Sequence, residues 1–131
     1  MDCPILLVAE KGEISAKTGK LNLEGIFNDF NARKFPINIK GTPVIVRLVA
    51  DPIEYNRTFT LKIELIDEDG HSLCTWSKKR TVPFLPNNRL VSIDQILGLP
   101  DCKISRPGSY QIVALVDGQI MASYPIEAFM L

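Results

Sequence analysis

The segment Pro107 to Tyr124 limits what this chain can fold into more than any other. It reads Pro-Gly-Ser-Tyr-Gln-Ile-Val-Ala-Leu-Val, then Asp117-Gly118, then Gln-Ile-Met-Ala-Ser-Tyr. A type I′ turn needs φ > 0 at both central residues. Asp-Gly between alternating apolar runs therefore predicts a two-residue β-hairpin with strands at 109–116 and 119–127. The rest of the chain repeats this pattern of short runs between turns. Nine prolines and eight glycines punctuate it, and no window of about 11 residues keeps a helical period. The expectation is all-β, an immunoglobulin-like antiparallel sandwich of about eight strands.

The remaining strands follow from the same logic. Residues 4–10 are a short apolar run. Residues 20–27 place Leu21 and Leu23 in alternation, then meet Gly25, which predicts a bulge. Residues 43–50, Pro-Val-Ile-Val-Arg-Leu-Val-Ala, are apolar on nearly both faces and predict a central strand. In 58–66, Phe59, Leu61, Ile63 and Leu65 alternate with Thr60, Lys62 and Glu64, the signature of a sheet with one wet face. Asp69-Gly70 is expected to turn this strand into 72–82 by the same chemistry as Asp117-Gly118. A strand at 89–96 follows, and 96–99 reads as a helical turn. If every strand crosses the sandwich, loops alternate between its ends. Loops 11–19, 51–57, 83–88 and 117–118 then share one end; loops 28–42, 67–71 and 98–108 share the other.

With 131 residues the chain fits a single domain, 1–131, able to bury roughly two-thirds of its unfolded surface without a metal or disulfide. Fifteen basic and fifteen acidic residues cancel, so the chain has no net attraction for nucleic acid or anionic lipid. Neither partner is expected. Asp2 and the short run 5–9, ended by Glu10-Lys11, do not make a secretion signal, and no run approaches the ~20 apolar residues of a membrane helix. Cys3, Cys74 and Cys102 are odd in number and widely spaced, which fits free thiols in a reducing cytoplasm. Asn56-Arg57-Thr58 is a glycosylation sequon that has no use in that compartment.

Candidate sites weigh differently. Asp51, Glu54, Asp67, Glu68, Asp69 and Asp117 invite a calcium reading, but aspartate favours turns, and the alternation of loops splits these residues between two ends. No metal site is assigned. Gly12 to Lys20 is not a phosphate loop: six residues separate Gly12 from Gly19 where the motif has four, Leu21 replaces the metal-binding hydroxyl, and no helix follows. Lys78, Lys79 and Arg80, after Trp76, form a candidate basic patch. Three charges are few beside the roughly six phosphate contacts of nucleic-acid binders, and lysines commonly guard an edge strand. Trp76 reads as packing. His71, the single histidine, sits beside a turn with no nucleophile elbow in reach. A zinc site would need His71 with the three cysteines, and no C-x-x-C exists. No catalytic residue and no cofactor are assigned. Phe84 and Leu85, between prolines in a surface loop, and Phe129 and Leu131 in the apolar tail form the candidate interaction patch.

Gly19-Lys20-Leu21-Asn22-Leu23-Glu24-Gly25-Ile26-Phe27, paired with Pro107-Gly108-Ser109-Tyr110 running to Val116-Asp117-Gly118, resembles a family of small bacterial domains of unknown function. The resemblance covers most of the chain. It implies an immunoglobulin-like sandwich in a bacterial or archaeal cytoplasm and supplies no catalytic residues. The expected function is a non-enzymatic protein-interaction or assembly module whose partner is another protein or a second copy of the chain. The competing expectation is a small-ligand or carbohydrate binder using loops at one end; an enzyme working through His71 comes last.

Overall fold

The computed structural model describes residues Met1–Leu131. It is all-β: eleven strands, one three-residue 3₁₀ turn (Pro52–Glu54), a turn at Pro86–Asn88 and no α-helix. The strands are β1 (Asp2–Ile14), β2 (Leu21–Phe27), β3 (Asp29–Ala32), β4 (Ile37–Asn38), β5 (Pro43–Ala50), β6 (Thr58–Ile66), β7 (Ser72–Thr81), β8 (Val91–Gly98), β9 (Lys103–Ile104), β10 (Gly108–Val116) and β11 (Gln119–Met130). One sheet has the order β2-β1-β5-β8, the other β3-β11-β10-β6-β7, and β4 pairs with β9 in a small third ladder.

Side-chain alternation decides which face each strand buries. On β6, Phe59, Leu61, Ile63 and Leu65 are buried; on β10, Tyr110, Ile112, Ala114 and Val116. The other sheet supplies Val44, Val46, Leu48 and Ala50 from β5, and Val91, Ile93 and Leu97 from β8. All belong to one hydrophobic cluster. β5 lies between β1 and β8, as its two apolar faces predict. Its outward residue Ile45 is also fully buried, and a side chain at Gly12 would press on it and on Leu23. The end of β1 and β2 therefore cover that outer face.

The closing hairpin forms as read. Val116 pairs with Gln119, and Asp117 and Gly118 have φ of 48° and 82°. The Asp69-Gly70 connection forms a hairpin by different chemistry. Only Gly70 has positive φ (81°). The Gly70 amide bonds the Asp67 carbonyl, and the Asp67 amide bonds the His71 carbonyl. This is a three-residue loop with glycine at its left-handed position. The Asp67 carboxylate accepts the Asp69 and His71 amides at 2.9 and 2.8 Å and holds the turn from within.

Other expectations change. Gly25 marks no bulge: Ala9 pairs with Ile26 and Lys11 with Glu24, one unbroken register. Its φ of 68° and missing side chain make room for Glu10, whose atoms lie 2.7 Å from where a Cβ would stand. Residues 96–98 continue β8 rather than forming a helical turn, because Ile96, Leu97 and Gly98 stay paired with Ile45, Val44 and Pro43. The 28–42 segment contains β3 and β4, and 98–108 contains β9. β3 runs parallel to β11, so the array is not purely antiparallel.

These extra strands break the loop alternation at one point. Met1 at the start of β1 meets Glu54, so β1 runs away from the 51–57 loop. β2 pairs only with residues 8–14 of β1 and does not cross the sandwich. The 11–19 connection therefore lies at the same end as 28–42, 67–71 and 98–108. The other assignments hold: 51–57, 83–88 and 117–118 meet through Arg57–Asp117 and Tyr55–Phe84.

Leu48→Ala removes a fully buried side chain from this core. It should lower unfolding free energy by about 3 kcal/mol. Ile26→Ala, at a residue 58% exposed, should change it by less than about 0.5 kcal/mol. Urea unfolding of the two variants measures both.

Candidate functional site

The 51–57 end is built on an ion network. The Met1 ammonium meets Glu54 at 2.9 Å, Glu54 meets Arg57 at 2.8 Å, and Arg57 meets Asp117 at 2.9 Å. The other carboxylate oxygen of Asp117 accepts the Thr60 amide at 2.9 Å. That amide bond first, then Arg57, holds the Asp117 carboxyl below its ordinary value. The loop around residue 84 docks on this frame. Asn56 and Val82 are tied by a backbone bond, Tyr55 packs edge-on against Phe84 at 5.3 Å, and its hydroxyl donates to the Arg89 carbonyl at 2.6 Å.

Asn56, Asn87 and Asn88 all adopt left-handed backbone here, with φ of 67°, 66° and 53°. Asparagine tolerates that region better than any other residue with a side chain, save aspartate. Three in two adjacent loops fix the shape of this end without glycine's freedom. The frame presents apolar side chains to water: Ile53 is 93% exposed, Phe84 66% and Leu90 60%. Leu85, by contrast, is half-buried and packs on the core.

The structure separates the candidate interaction residues. Phe84 and Leu85 lie at the 51–57 end. Phe129 lies on the part of β11 that pairs with β3, opposite Asn31, and Leu131 follows it, at the 67–71 end. Phe129 is 37% exposed and Leu131 71%. Ile53 and Leu90 escaped the sequence reading. Ile53 stands alone among turn residues, and Leu90 reads as the start of a strand; only the fold joins their segments to that of Phe84, through the contacts of Tyr55 with Phe84 and with the Arg89 carbonyl.

The basic run lies on β7, an edge strand. Lys78 and Arg80 pair with Leu61 and Phe59 and so point toward the core side, whereas Lys79 points out. Arg80 donates to Gln95 on β8 at 2.6 Å and bridges the margins of the two sheets. Charges aimed inward from an edge strand oppose pairing with another chain. The three cations do not form one patch. Trp76 is half-buried against the core, consistent with packing.

At the 67–71 end, Asp67, Asp69 and His71 place ligand atoms within 4.8 Å of one another. Two of the three are exposed, and Asp67 is committed to its turn amides, which lower its pKa. Its second oxygen lies 3.4 Å from His71 Nδ1. Asp51 and Asp117 stand at the opposite end, as the loop count required. Beside the turn lies an open cleft of about 440 Å³ edged by Asn28, Glu68, Ser109, Tyr110 and Glu127. Glu68 accepts the Ser109 amide at 2.9 Å. A second hollow of about 600 Å³ lies on the β1–β2 hairpin among Glu10, Glu13, Glu24 and Lys11. No helix is long and apolar enough to cross a membrane.

Residues 4–129 match a family described only as of unknown function, DUF6941. The chain belongs to that family. No curated protein matches this DUF6941 chain in sequence. Its fold is similar to part of the Pseudomonas fluorescens alkylpurine DNA glycosylase AlkC, solved bound to DNA containing an abasic site analogue. Identity is 13%, the TM-score 0.50, and the match covers 98% of this chain but 30% of that one. It is also similar to part of a glycoside hydrolase family 2 β-glucuronidase, with 15% identity, a TM-score of 0.42, and 73% and 11% of the two chains covered. A family 2 glycosyl hydrolase from Bacteroides cellulosilyticus DSM 14838 shows 16% identity and a TM-score of 0.42 over 71% and 14%. The DUF6941 chain spans under a third of each of these proteins. At such identities the glycosylase likeness shows fold alone, and the other two carry no argument.

Asp117→Asn keeps an oxygen for the Thr60 amide and an Asn-Gly turn, but loses the charge facing Arg57. A depressed folded-state pKa contributes stability above the ordinary aspartate value of about 3.9 and loses it as pH falls further. The variant should therefore be less stable than the parent at pH 7. The gap should close as pH falls below about 3.9. Thermal melts across pH 2–7 check this.

Proposed function

We propose that this DUF6941 chain is a non-enzymatic interaction or assembly module that docks through its 51–57 end, with a second copy of the chain as the partner. One observation carries the reading. Ile53, Phe84 and Leu90 stand 93%, 66% and 60% exposed on loops that an ion network and three left-handed asparagines hold in shape. Large apolar side chains held rigidly in water cost free energy that docking returns, and a pre-shaped surface loses little entropy on binding. A second copy is favoured because fifteen positive and fifteen negative residues leave no net repulsion between chains.

Two further elements belong to the proposal. We read the two main sheets as an immunoglobulin-like sandwich. The Tyr110 hydroxyl donates to the Arg106 carbonyl at 2.6 Å, which supports this reading because such a tyrosine corner recurs in that architecture. We place the chain in the cytoplasm, a setting that its three free cysteines suit. A small-ligand reading would use the 440 Å³ cleft. Its support is weaker, because the cleft is open and Tyr110, its single aromatic, is buried.

Light scattering on size-exclusion peaks over a concentration series tests the proposal. The parent chain should shift from monomer toward dimer as concentration rises, and Ile53→Asp with Phe84→Asp should stay monomeric while melting normally. A parent that stays monomeric throughout, or a double variant that dimerises equally well, overturns it.

A further inference from the structure

β1, β5 and β8 turn a second face outward, and much of it is apolar. Alternation sets Leu7, Ile45 and Ile96 in one row across the three strands, and Ile5, Arg47 and Asp94 in the next. Val49 and Ser92 follow, opposite each other. Ile45 is fully buried next to Gly12 of β1, yet it lies outside the core cluster. Ile5, Leu7, Val49 and Ile96 are half-buried and do not pack on that cluster either. In the middle of the face, Arg47 donates from Nε and Nη2 to the two carboxylate oxygens of Asp94, at 2.7 and 3.0 Å. Its Nη1 has no hydrogen-bond partner within the chain.

We propose that the docking surface runs from the 51–57 end onto this outer face, and that a second copy of the chain, related by a two-fold axis, packs its own face there. This rests on the function proposed above and names the rest of its surface. Leu90 makes the join. Val91 pairs with Ala50 and is buried, so alternation turns Leu90 to the outer side of β8, in line with Ser92. Area requires more than the loop tips. A standard interface buries about 800 Å² per partner through about 20–30 residues, and Ile53, Phe84 and Leu90 are only three. Three strands about 4.8 Å apart, each advancing about 3.3 Å per residue over the length of β5, add roughly 400 Å².

The charges choose the partner. A lone charge of either sign on the face would call for an oppositely charged partner. The Arg47–Asp94 pair carries one of each and matches itself. A two-fold axis through the middle of the face lays the Arg47 of one copy over the Asp94 of the other, where the spare Nη1 is free to donate across the contact. Such a contact is isologous and closes at two chains. An arginine set among aliphatic side chains, with few other charges, is also the composition of an interface centre.

Charge reversal read by light scattering over a concentration series tests this. Asp94→Arg leaves two cations on the face, and Arg47→Asp leaves two anions. Each alone should stay monomeric at concentrations where the parent dimerises. Mixed in equal amounts they should form a heterodimer, which a merely structural role for the pair does not produce. Ser92→Arg, at an exposed position, should raise the dimer dissociation constant about tenfold or more. A reversal variant that dimerises as well as the parent, a mixture that stays monomeric, or an unchanged affinity in Ser92→Arg overturns the inference. Should the reversal variants not fold, Ser92→Arg decides alone. A dimer lost in Ile53→Asp with Phe84→Asp but kept in Ser92→Arg overturns the sheet face and leaves the loop reading standing. The reverse result overturns the loop reading and leaves the face. A parent that is monomeric at every concentration overturns both.

Discussion

Phe59, Leu61, Ile63 and Leu65 on β6 share one core with Val44, Val46 and Leu48 on β5, and neither sheet holds together with that face in water. Each such side chain contributes about 1.5–3 kcal/mol when buried. The ordering of the backbone opposes this by about 1–2 kcal/mol per residue. The two sheets therefore stabilise each other or neither forms. Period-two alternation fixes the register as well, since a slip of one residue would turn the apolar set outward. The hairpin turns, the edge charges and both loop ends are positioned by this shared core.

The margins of the sheets show how the fold manages what the core leaves open. On one side Arg80 reaches Gln95 between β7 and β8. On the other the chain passes from β2 to β3, and the Tyr124 hydroxyl donates to the Phe27 carbonyl at 2.8 Å. The inward cations of β7 and these inter-sheet bonds leave little free edge for pairing with another chain. That is why the proposed assembly runs through a loop end. The two ends differ in character: one is an ion network carrying apolar side chains, the other a set of turns with carboxylates around an open cleft.

The strands were legible wherever side chains follow a simple period. β5, β6, β10 and β11 appear close to their expected bounds because burial on one face, or on both, writes itself into the residue order. β3, β4 and β9 were not legible. They span four residues or fewer, too short to carry a period, and exist only because a partner strand lies alongside. Gly25 misled for a related reason: its positive φ accommodates Glu10 on the neighbouring strand, a contact that local sequence cannot show. Phe84 was recognisable as an apolar residue in a proline-bounded loop, but Ile53 and Leu90 gained meaning only from the Tyr55 contacts that join their segments to that loop.

The sequence alone determined the all-β class, the Asp117-Gly118 turn and the family, because turn chemistry and alternation are properties of adjacent residues. The tertiary structure alone decided where the loops gather. It sent the 11–19 connection to the end opposite the one expected, split Phe84 from Leu131, and set Arg80 against Gln95. Such juxtapositions depend on how far each strand travels before it turns. That distance is set by pairing across the sheet, between residues far apart in the chain.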